Sequence, residues 1–375
     1  MKKILLVIPA LNAGGAERVM ATLANEWCNQ YEIDILMFQS TDSFYTLNHK
    51  IKLLKMGLTL PNNRFLRLFL VPIIEIKRYR FLRKTIKKEK YCFVMSFTNV
   101  ANYLVCLLPK RISDSLYIIS ERADPKKYSF IIRMLIDVLY RRSDLLICQN
   151  EASRDYYAKL KFKNKLTVLP NPVNFDDIPD AKPSKKERAI STVGRLTPQK
   201  NHRLLIEAFD EIFEDYPEYK LKIYGAGPLE SELKKYSQSL RSRENIEFLG
   251  VKKKVMFDVS KTEIFVLSSD YEGFPNVLIE AMASYMPVVS SDFSTGVARE
   301  LIDNGRNGYI FQVGDKAELI EALRSILNDR KRYVEIGISN RKIAAKYRSD
   351  IVANMWLEEI KGLRCTKRKG GIDES

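Results

Sequence analysis

Residues 3–10 read KILLVIPA, and residues 12–18 continue as NAGGAER. A short apolar run of this kind suits a strand buried on both faces of a parallel sheet, and a glycine turn ends it. Residues 15–30 then set Ala16, Val19, Met20, Leu23, Ala24 and Trp27 at three- and four-residue intervals, which is one apolar stripe of a helix. The unit recurs. Further strands are expected at 32–38, 91–97, 115–120, 144–149 and 166–169, and strands alternating with helices imply a parallel sheet with right-handed crossovers.

Residues 170–187, PNPVNFDDIPDAKPSKKE, break this pattern with four prolines and no periodicity, and read as an interdomain linker. The alternation then restarts with expected strands at 189–193, 220–224, 246–249, 264–267 and 287–290 and a helix at 202–215. A length of 375 residues is also more than one ordinary core accommodates. The expected fold is α/β, two doubly wound Rossmann-like domains facing a cleft. The first spans 1–172, a linker 173–187, and the second 188–345; a C-terminal helix over 346–375 can return to the first domain before a charged tail. Ligands in such sheets bind at the carboxyl ends of strands, which favours a site in the cleft.

Composition removes several classes. With 46% apolar and 29% charged residues the chain has ordinary globular usage, not that of a disordered segment. Its longest apolar stretches, 4–11 and 69–74, fall short of the roughly 18–20 residues that cross a bilayer. No small-residue cleavage site follows the N-terminal apolar run, so a secretory leader is not expected. Cys28, Cys92, Cys106, Cys148 and Cys365 are widely spaced without a CxxC, and the chain has only two histidines, His49 and His202. That argues for a reducing compartment and against a structural zinc site. The net charge of +16 is lopsided: residues 1–172 carry 29 Lys and Arg against 14 Asp and Glu, the remainder 33 against 32. An anionic partner should therefore meet the first domain.

Four loops carry candidate chemistry. Gly14 and Gly15 follow the first strand and open the first helix, where paired glycines let backbone pass close to a phosphate; a tight turn fits equally well. Gly194 and Arg195 end the first strand of the second domain, and Arg195 and Lys200 bracket a short turn able to bring a guanidinium and an ammonium to one diphosphate, or to leave two solvated cations. Gly225 and Gly227 again end a strand and could admit a nucleotide or form a plain turn. Residues 268–283, SSDYEGFPNVLIEAMA, are the most informative. Glu272 lies in the loop after a strand, Pro275 is placed to be the first residue of a helix, and the unpaired N–H groups of Asn276, Val277 and Leu278 would offer the positive end of the dipole to a phosphate. Glu280 follows one turn later. Two carboxylates seven residues apart around an anion-binding helix start suit a nucleotide sugar, against the alternative of a surface turn and an ordinary helical Glu.

Residues 268–283 resemble the EX7E signature of retaining GT-B glycosyltransferases of family 4, and GRLTPQKNHRLLIEAF and YGAGP resemble that family's phosphate- and nucleotide-binding loops in the same order. LNAGGAERV and SERADP, residues 120–125, are similar to the subgroup that elongates lipid-linked oligosaccharides and surface polysaccharides, often with hexose or N-acetylhexosamine. The resemblance implies that Arg195 and Lys200 bind the donor diphosphate, that Glu272 with the N–H groups of Gly273 and Phe274 holds the donor sugar, and that Glu280 binds the ribose. Many members carry a His after a first-domain strand where this chain has Glu121 and Arg122, the acceptor-side candidates. No cofactor is implied, a nucleoside-diphosphate sugar being the donor substrate. No metal is expected: the chain lacks a DxD pair, and the two cations can replace a divalent ion on the leaving diphosphate.

Residues 64–90 hold ten Lys or Arg against Glu75 and Glu89, interleaved with large apolar residues. Such a basic amphipathic stretch reads as binding to an anionic membrane surface or as a core helix with a solvated basic face. The expected protein is a peripheral enzyme on the cytoplasmic face of the cell membrane that acts on a lipid-linked saccharide. Two other readings are a sugar-nucleotide epimerase of the same architecture and a nucleic-acid binder; the second lacks any accompanying recognition motif, so no nucleic-acid partner is expected.

Overall fold

The structure is a computed structural model that describes residues 1–58, 64–122, 129–160, 165–179 and 186–369. The chain divides into two compact units, Met1–Pro172 with Ser349–Ser375, and Val173–Arg348. In the first, strands β1 (Lys2–Ile8), β2 (Tyr31–Met37), β3 (Lys52–Lys55), β4 (Tyr91–Phe97), β5 (Leu116–Ser120), β6 (Leu145–Cys148) and β7 (Lys165–Val168) form one parallel sheet. Its order is β3-β2-β1-β4-β5-β6-β7. Helices α1 (Gly15–Trp27), α2 (Arg64–Lys88), α3 (Asn99–Leu107), α4 (Phe130–Leu139) and α5 (Glu151–Lys159) connect the strands.

Alternation along each strand sorts the side chains between two cores, because successive residues point to opposite faces. Ile4, Leu6 and Ile8 pack with Val19, Leu23 and Trp27 of α1, whereas Leu5 and Val7 pack with Leu82 and Ile86 of α2, Leu104 of α3 and Ile136 of α4. Both faces are covered, which is why KILLVIPA is apolar throughout.

The second unit repeats the design. Strands β8 (Glu187–Val193), β9 (Lys220–Tyr224), β10 (Ile246–Gly250), β11 (Thr262–Leu267), β12 (Val288–Ser291) and β13 (Gly308–Phe311) form a parallel sheet in the order β10-β9-β8-β11-β12-β13. Around it lie α6 (His202–Ile212), α7 (Glu230–Ser237), α8 (Met256–Val259), α9 (Asn276–Ala283), α10 (Val297–Leu301), α11 (Lys316–Asn328) and α12 (Tyr333–Ala345). Helix α13 (Ser349–Lys369) then belongs to the first unit.

Two strands escape the sequence reading, β3 and β13. Both are four residues long and lie at a sheet edge, where only one side needs a hydrogen-bonded partner and the apolar signal is short. Val173 and Ile178, in the stretch read as linker, are buried in the second unit's core, and Val173 N–H donates to Tyr347 C=O at 2.8 Å. Residues 180–185 of that stretch lie outside the described residues, as do residues 370–375 of the tail. Among the described residues no helix is long and apolar enough to cross a membrane.

Helix α13 supplies core to the first unit. Trp356 is fully buried, its ring stacked 6.1 Å from that of Phe97, and its Nε1–H donates to Pro170 C=O at 3.0 Å. Trp27 Nε1–H in turn donates to Ala353 C=O at 3.0 Å. Trp356→Ala is expected to cost about 3–5 kcal/mol, seen as a lower urea midpoint for the first unit; an unchanged midpoint would make α13 peripheral to that core.

Candidate functional site

Each sheet reverses its winding once, between β1 and β4 in the first unit and between β8 and β11 in the second. Connections leave such a point in opposite directions and open a crevice at the carboxyl ends of the two strands. In the second unit that crevice is bordered by Gly194 and Arg195 after β8 and by residues 268–273 after β11. The sequence-predicted residues Gly194, Arg195, Lys200 and Glu272 are therefore brought to one place by sheet order.

Lys200 Nζ lies 2.5 Å from Glu272 Oε1, and Ser269 Oγ donates to the same oxygen at 2.6 Å. Both side chains are largely buried. Four more bonds lock the two loops: Gln199 Nε2 to Tyr271 C=O (2.9 Å), Asp270 N–H to Gln199 C=O (2.9 Å), Asn201 Nδ2 to Asp270 Oδ1 (2.8 Å) and Ser268 Oγ to Lys200 C=O (3.0 Å). Asn201 takes a left-handed backbone, φ 43°, and caps α6 by accepting from Leu204 N–H. An Asn tolerates that conformation better than most residues. Arg195 is exposed, and its guanidinium has no partner among the described residues.

The glycines of YGAGP have a reason inside the protein. Gly225 has φ 140°, and a Cβ there would strike Gly194 C=O; one at Gly227 would strike Leu196 C=O. The two loops lie backbone against backbone, joined by Gly194 N–H to Tyr224 C=O and Leu196 N–H to Ala226 C=O, each 3.0 Å. At Gly194 a Cβ would press on Lys200 Cγ and Cδ at 3.3 Å and on His202 Cε1 at 3.5 Å.

The start of α9 differs from expectation. The helix begins at Asn276, with Pro275 as its cap rather than its first residue. Asn276 N–H donates to Phe274 C=O and Leu278 N–H to Pro275 C=O, both at 3.0 Å, so these two are not free as anticipated. Val277 N–H has no hydrogen-bond acceptor among the described residues. The tight turn around Pro275 consumes local donors that a straight helix start would expose. Glu280 is buried in α9, and the Phe274 ring packs 5.8 Å from that of Tyr347, beside Gly273.

Gly14, Gly15, Glu121 and Arg122 belong to the first unit. Gly14 exchanges two hydrogen bonds with Tyr45: its N–H donates to the hydroxyl at 3.1 Å, and the hydroxyl donates to its C=O at 2.8 Å. Gly15 is the first residue of α1. Glu121 is buried after β5 and accepts from the hydroxyls of Tyr140 (3.0 Å) and Tyr157 (3.2 Å). The Arg122 guanidinium sits 4.8 Å from the Phe97 ring and 5.3 Å from that of Trp356, and donates to Asn171 Oδ1. Burial pushes its pKa down to about 9, opposed by the Glu121 charge. Residues 123–125 of SERADP, with Lys126 and Lys127, lie outside the described residues.

Sequence reasoning missed Gln199, Asn201, Ser269 and Tyr45, and missed Thr98, a β-branched residue at φ 74° directly after β4. Asn201 ahead of an apolar helix was a legible capping signal. Nothing in the local sequence marks Thr98, because its strained backbone is imposed by the surrounding fold.

His202, the first residue of α6, is buried beside Lys200, and the two causes together hold its pKa at about 4 against an ordinary 6.5. Between those values the unfolded chain binds more protons than the folded one. Stability from this group is thus complete above about pH 6.5 and is lost as the pH falls towards 4, on the order of 3 kcal/mol at most. In denaturant titrations between pH 4 and 7, His202→Asn is expected to flatten the acid limb of the wild-type stability profile. Parallel profiles would mean that His202 titrates as an exposed histidine.

Residues 174–343 match the family described as Glycosyl transferases group 1, and residues 13–177 match Glycosyltransferase Family 4. The chain is 31% identical over 368 residues to the Campylobacter jejuni protein named GalNAc-alpha-(1->4)-GalNAc-alpha-(1->3)-diNAcBac-PP-undecaprenol alpha-1,4-N-acetyl-D-galactosaminyltransferase, covering 96% of this chain and 98% of that one. It is 27% identical over 343 residues to that organism's N-acetylgalactosamine-N,N'-diacetylbacillosaminyl-diphospho-undecaprenol 4-alpha-N-acetylgalactosaminyltransferase, covering 88% and 92%. Among solved structures, sucrose-phosphate synthase from Thermosynechococcus elongatus is similar with a TM-score of 0.82 at 16% identity, over 98% of this chain and 100% of that one. Anabaena HepE in complex with UDP follows at 0.75 and 17%, over 96% and 100%. The two structural likenesses concern the fold, which is that of two doubly wound units. With both halves matched in order and a relative aligned over nearly its whole length, the chain belongs to the family 4 glycosyltransferases of GT-B architecture.

Proposed function

We propose that the protein moves a hexose or N-acetylhexosamine, with retention of configuration, from a nucleoside-diphosphate sugar to a lipid-linked saccharide in the assembly of a surface polysaccharide, lipopolysaccharide or related glycan. The observation that carries this reading is the largely buried Lys200–Glu272 pair at the carboxyl ends of β8 and β11, with the exposed Arg195, which has no partner among the described residues, in the same loop as Lys200. An ammonium has three donors, so Lys200 can hold Glu272 and a phosphate oxygen together. Arg195 and Lys200 then stabilise the charge that develops on the departing diphosphate, and Val277 N–H adds the positive end of α9. Among the described residues the bonds to Glu272 end on Oε1, and in this reading Oε2 takes a donor-sugar hydroxyl. Gly273 and Phe274 provide N–H groups to the sugar, and Glu280 takes the ribose.

A UDP-linked donor accords with the UDP bound by HepE, and a lipid-diphosphate acceptor with the undecaprenol named in both Campylobacter relatives. In this reading Gly14 and Gly15 of the first unit serve donor binding. Glu121 and Arg122 are placed on the acceptor side. The enzyme works at the cytoplasmic membrane face, drawn there by the exposed cations Arg80, Arg83, Lys84, Lys87 and Lys88 of α2. Arg78 does not join them: it is buried, paired with Glu75 at 2.5 Å and stacked on Phe38. The side chains of residues 64–69 lie outside the described residues.

The test is nucleotide release from a panel of UDP-hexoses and UDP-N-acetylhexosamines with and without membrane lipid extract. Release that depends on the extract is expected; an epimerised donor formed without acceptor would instead establish the epimerase. Glu272→Ala should nearly abolish transfer at an unchanged melting temperature, and Lys200→Ala should cost about 10²–10³ in kcat. Wild-type turnover by either folded variant rejects the assigned roles. Transfer should also persist in EDTA, and a loss restored by Mg²⁺ would replace the two cations with a metal.

A further inference from the structure

Helix α4 buries Ile136 against the first sheet yet exposes Phe130 (69%), Met134 (54%), Leu135 (50%) and Val138 (65%). Residues 130, 134 and 138 recur once per turn, with 135 beside them, so the four form one stripe along the outer side of the helix. Single exposed apolar side chains are common on proteins, but a contiguous row of four large ones marks a surface with a partner.

The charge around the stripe indicates which partner. Arg141 and Arg142 are exposed directly after α4. Leu82 and Ile86 of α2, Leu104 and Val105 of α3 and Ile136 of α4 belong to one core, so the three helices cover the same face of the sheet. On that face α2 exposes Ile73 and Ile76 and then its row of cations, while Glu75 is taken by Arg78. An apolar row flanked by positive charge matches an anionic bilayer, whose phosphates meet the cations while the apolar row enters the boundary between headgroups and acyl chains.

We propose that α4 is the inserting element of a membrane-docking face of the first unit, and that α2 supplies its electrostatic attraction. The inference deepens the membrane reading above and rests on it, but it assigns the depth of contact to a helix that carries no net basic run of its own. Contact is interfacial, since among the described residues no helix can span a bilayer. The two helices divide the work: attraction through α2 falls with salt, and insertion through α4 does not.

The full-length protein is sedimented with phosphatidylcholine vesicles and with vesicles containing phosphatidylglycerol, at low and high salt. One variant carries Phe130→Ser, Met134→Ser, Leu135→Ser and Val138→Ser; a second carries Arg80→Gln, Arg83→Gln, Lys84→Gln, Lys87→Gln and Lys88→Gln. The apolar variant is expected to bind anionic vesicles at least tenfold more weakly, and its residual binding should vanish at high salt. The charge variant should lose the preference for phosphatidylglycerol. Hydrogen exchange of α4 amides in the wild type should slow on vesicles, a readout that needs no variant to fold. Wild-type affinity of a folded apolar variant, or unprotected α4 amides, overturns the proposal. So does a variant that turns a dimer into a monomer at unchanged vesicle affinity, which would assign the stripe to a second copy of the chain. Failure of the charge variant alone to weaken binding would instead remove α2 from the membrane reading.

Discussion

The Lys200–Glu272 ion pair joins residues 72 apart in sequence, and it exists only because β8 and β11 are neighbours. Nothing local would bring an ammonium and a carboxylate together in a largely buried position, where each alone would be costly to desolvate. The sheet order supplies the proximity, and the hydrogen bonds of Gln199, Asn201, Ser268 and Ser269 remove the slack. Behind the pair, His202 is held neutral by the same burial, so the positive charge of the pocket stays concentrated at Lys200 and Arg195.

A second constraint sits beside it. The loop after β9 approaches the loop after β8 so closely that Gly225 and Gly227 leave no room for a Cβ. Glycines in a strand-to-helix turn invite the inference that a ligand must come close; here the close neighbour is the protein's own backbone, and its effect is to set the position of Arg195. The turn at Pro275 works in a similar way, satisfying two donors locally and leaving Val277 N–H. The pocket is thus built from a few fixed groups rather than from an open array of backbone donors.

The first unit is organised around different needs. Its sheet is closed on one face by α1 and by α13, which contributes Trp356 from the far end of the chain, and on the other by α2, α3 and α4. Glu121 and Arg122, directly after β5, enter different surroundings: one side chain joins a tyrosine network and the other lies over the Phe97 and Trp356 rings. The second of those environments requires α13, so the surroundings of Arg122 depend on that helix as much as on β5.

The repeating strand–helix pattern, the break near residue 170 and the place of each loop at a strand end were legible in the sequence, because hydrophobic periodicity and turn residues are local properties. EGFPNVLIE and GRLTPQK were legible as members of a family for the same reason: each is a short contiguous string. The edge strands β3 and β13 were not, since four residues with one paired side leave little pattern. Nor could the sequence tell that Lys200 pairs with Glu272, that the YGAGP glycines serve a backbone contact, that Arg78 turns inward while its neighbours face water, or that α4 shows its apolar side to solvent. Each of these depends on which distant segment lies alongside. An amphipathic pattern states that a helix has an apolar face, but only the packed structure decides whether that face is covered.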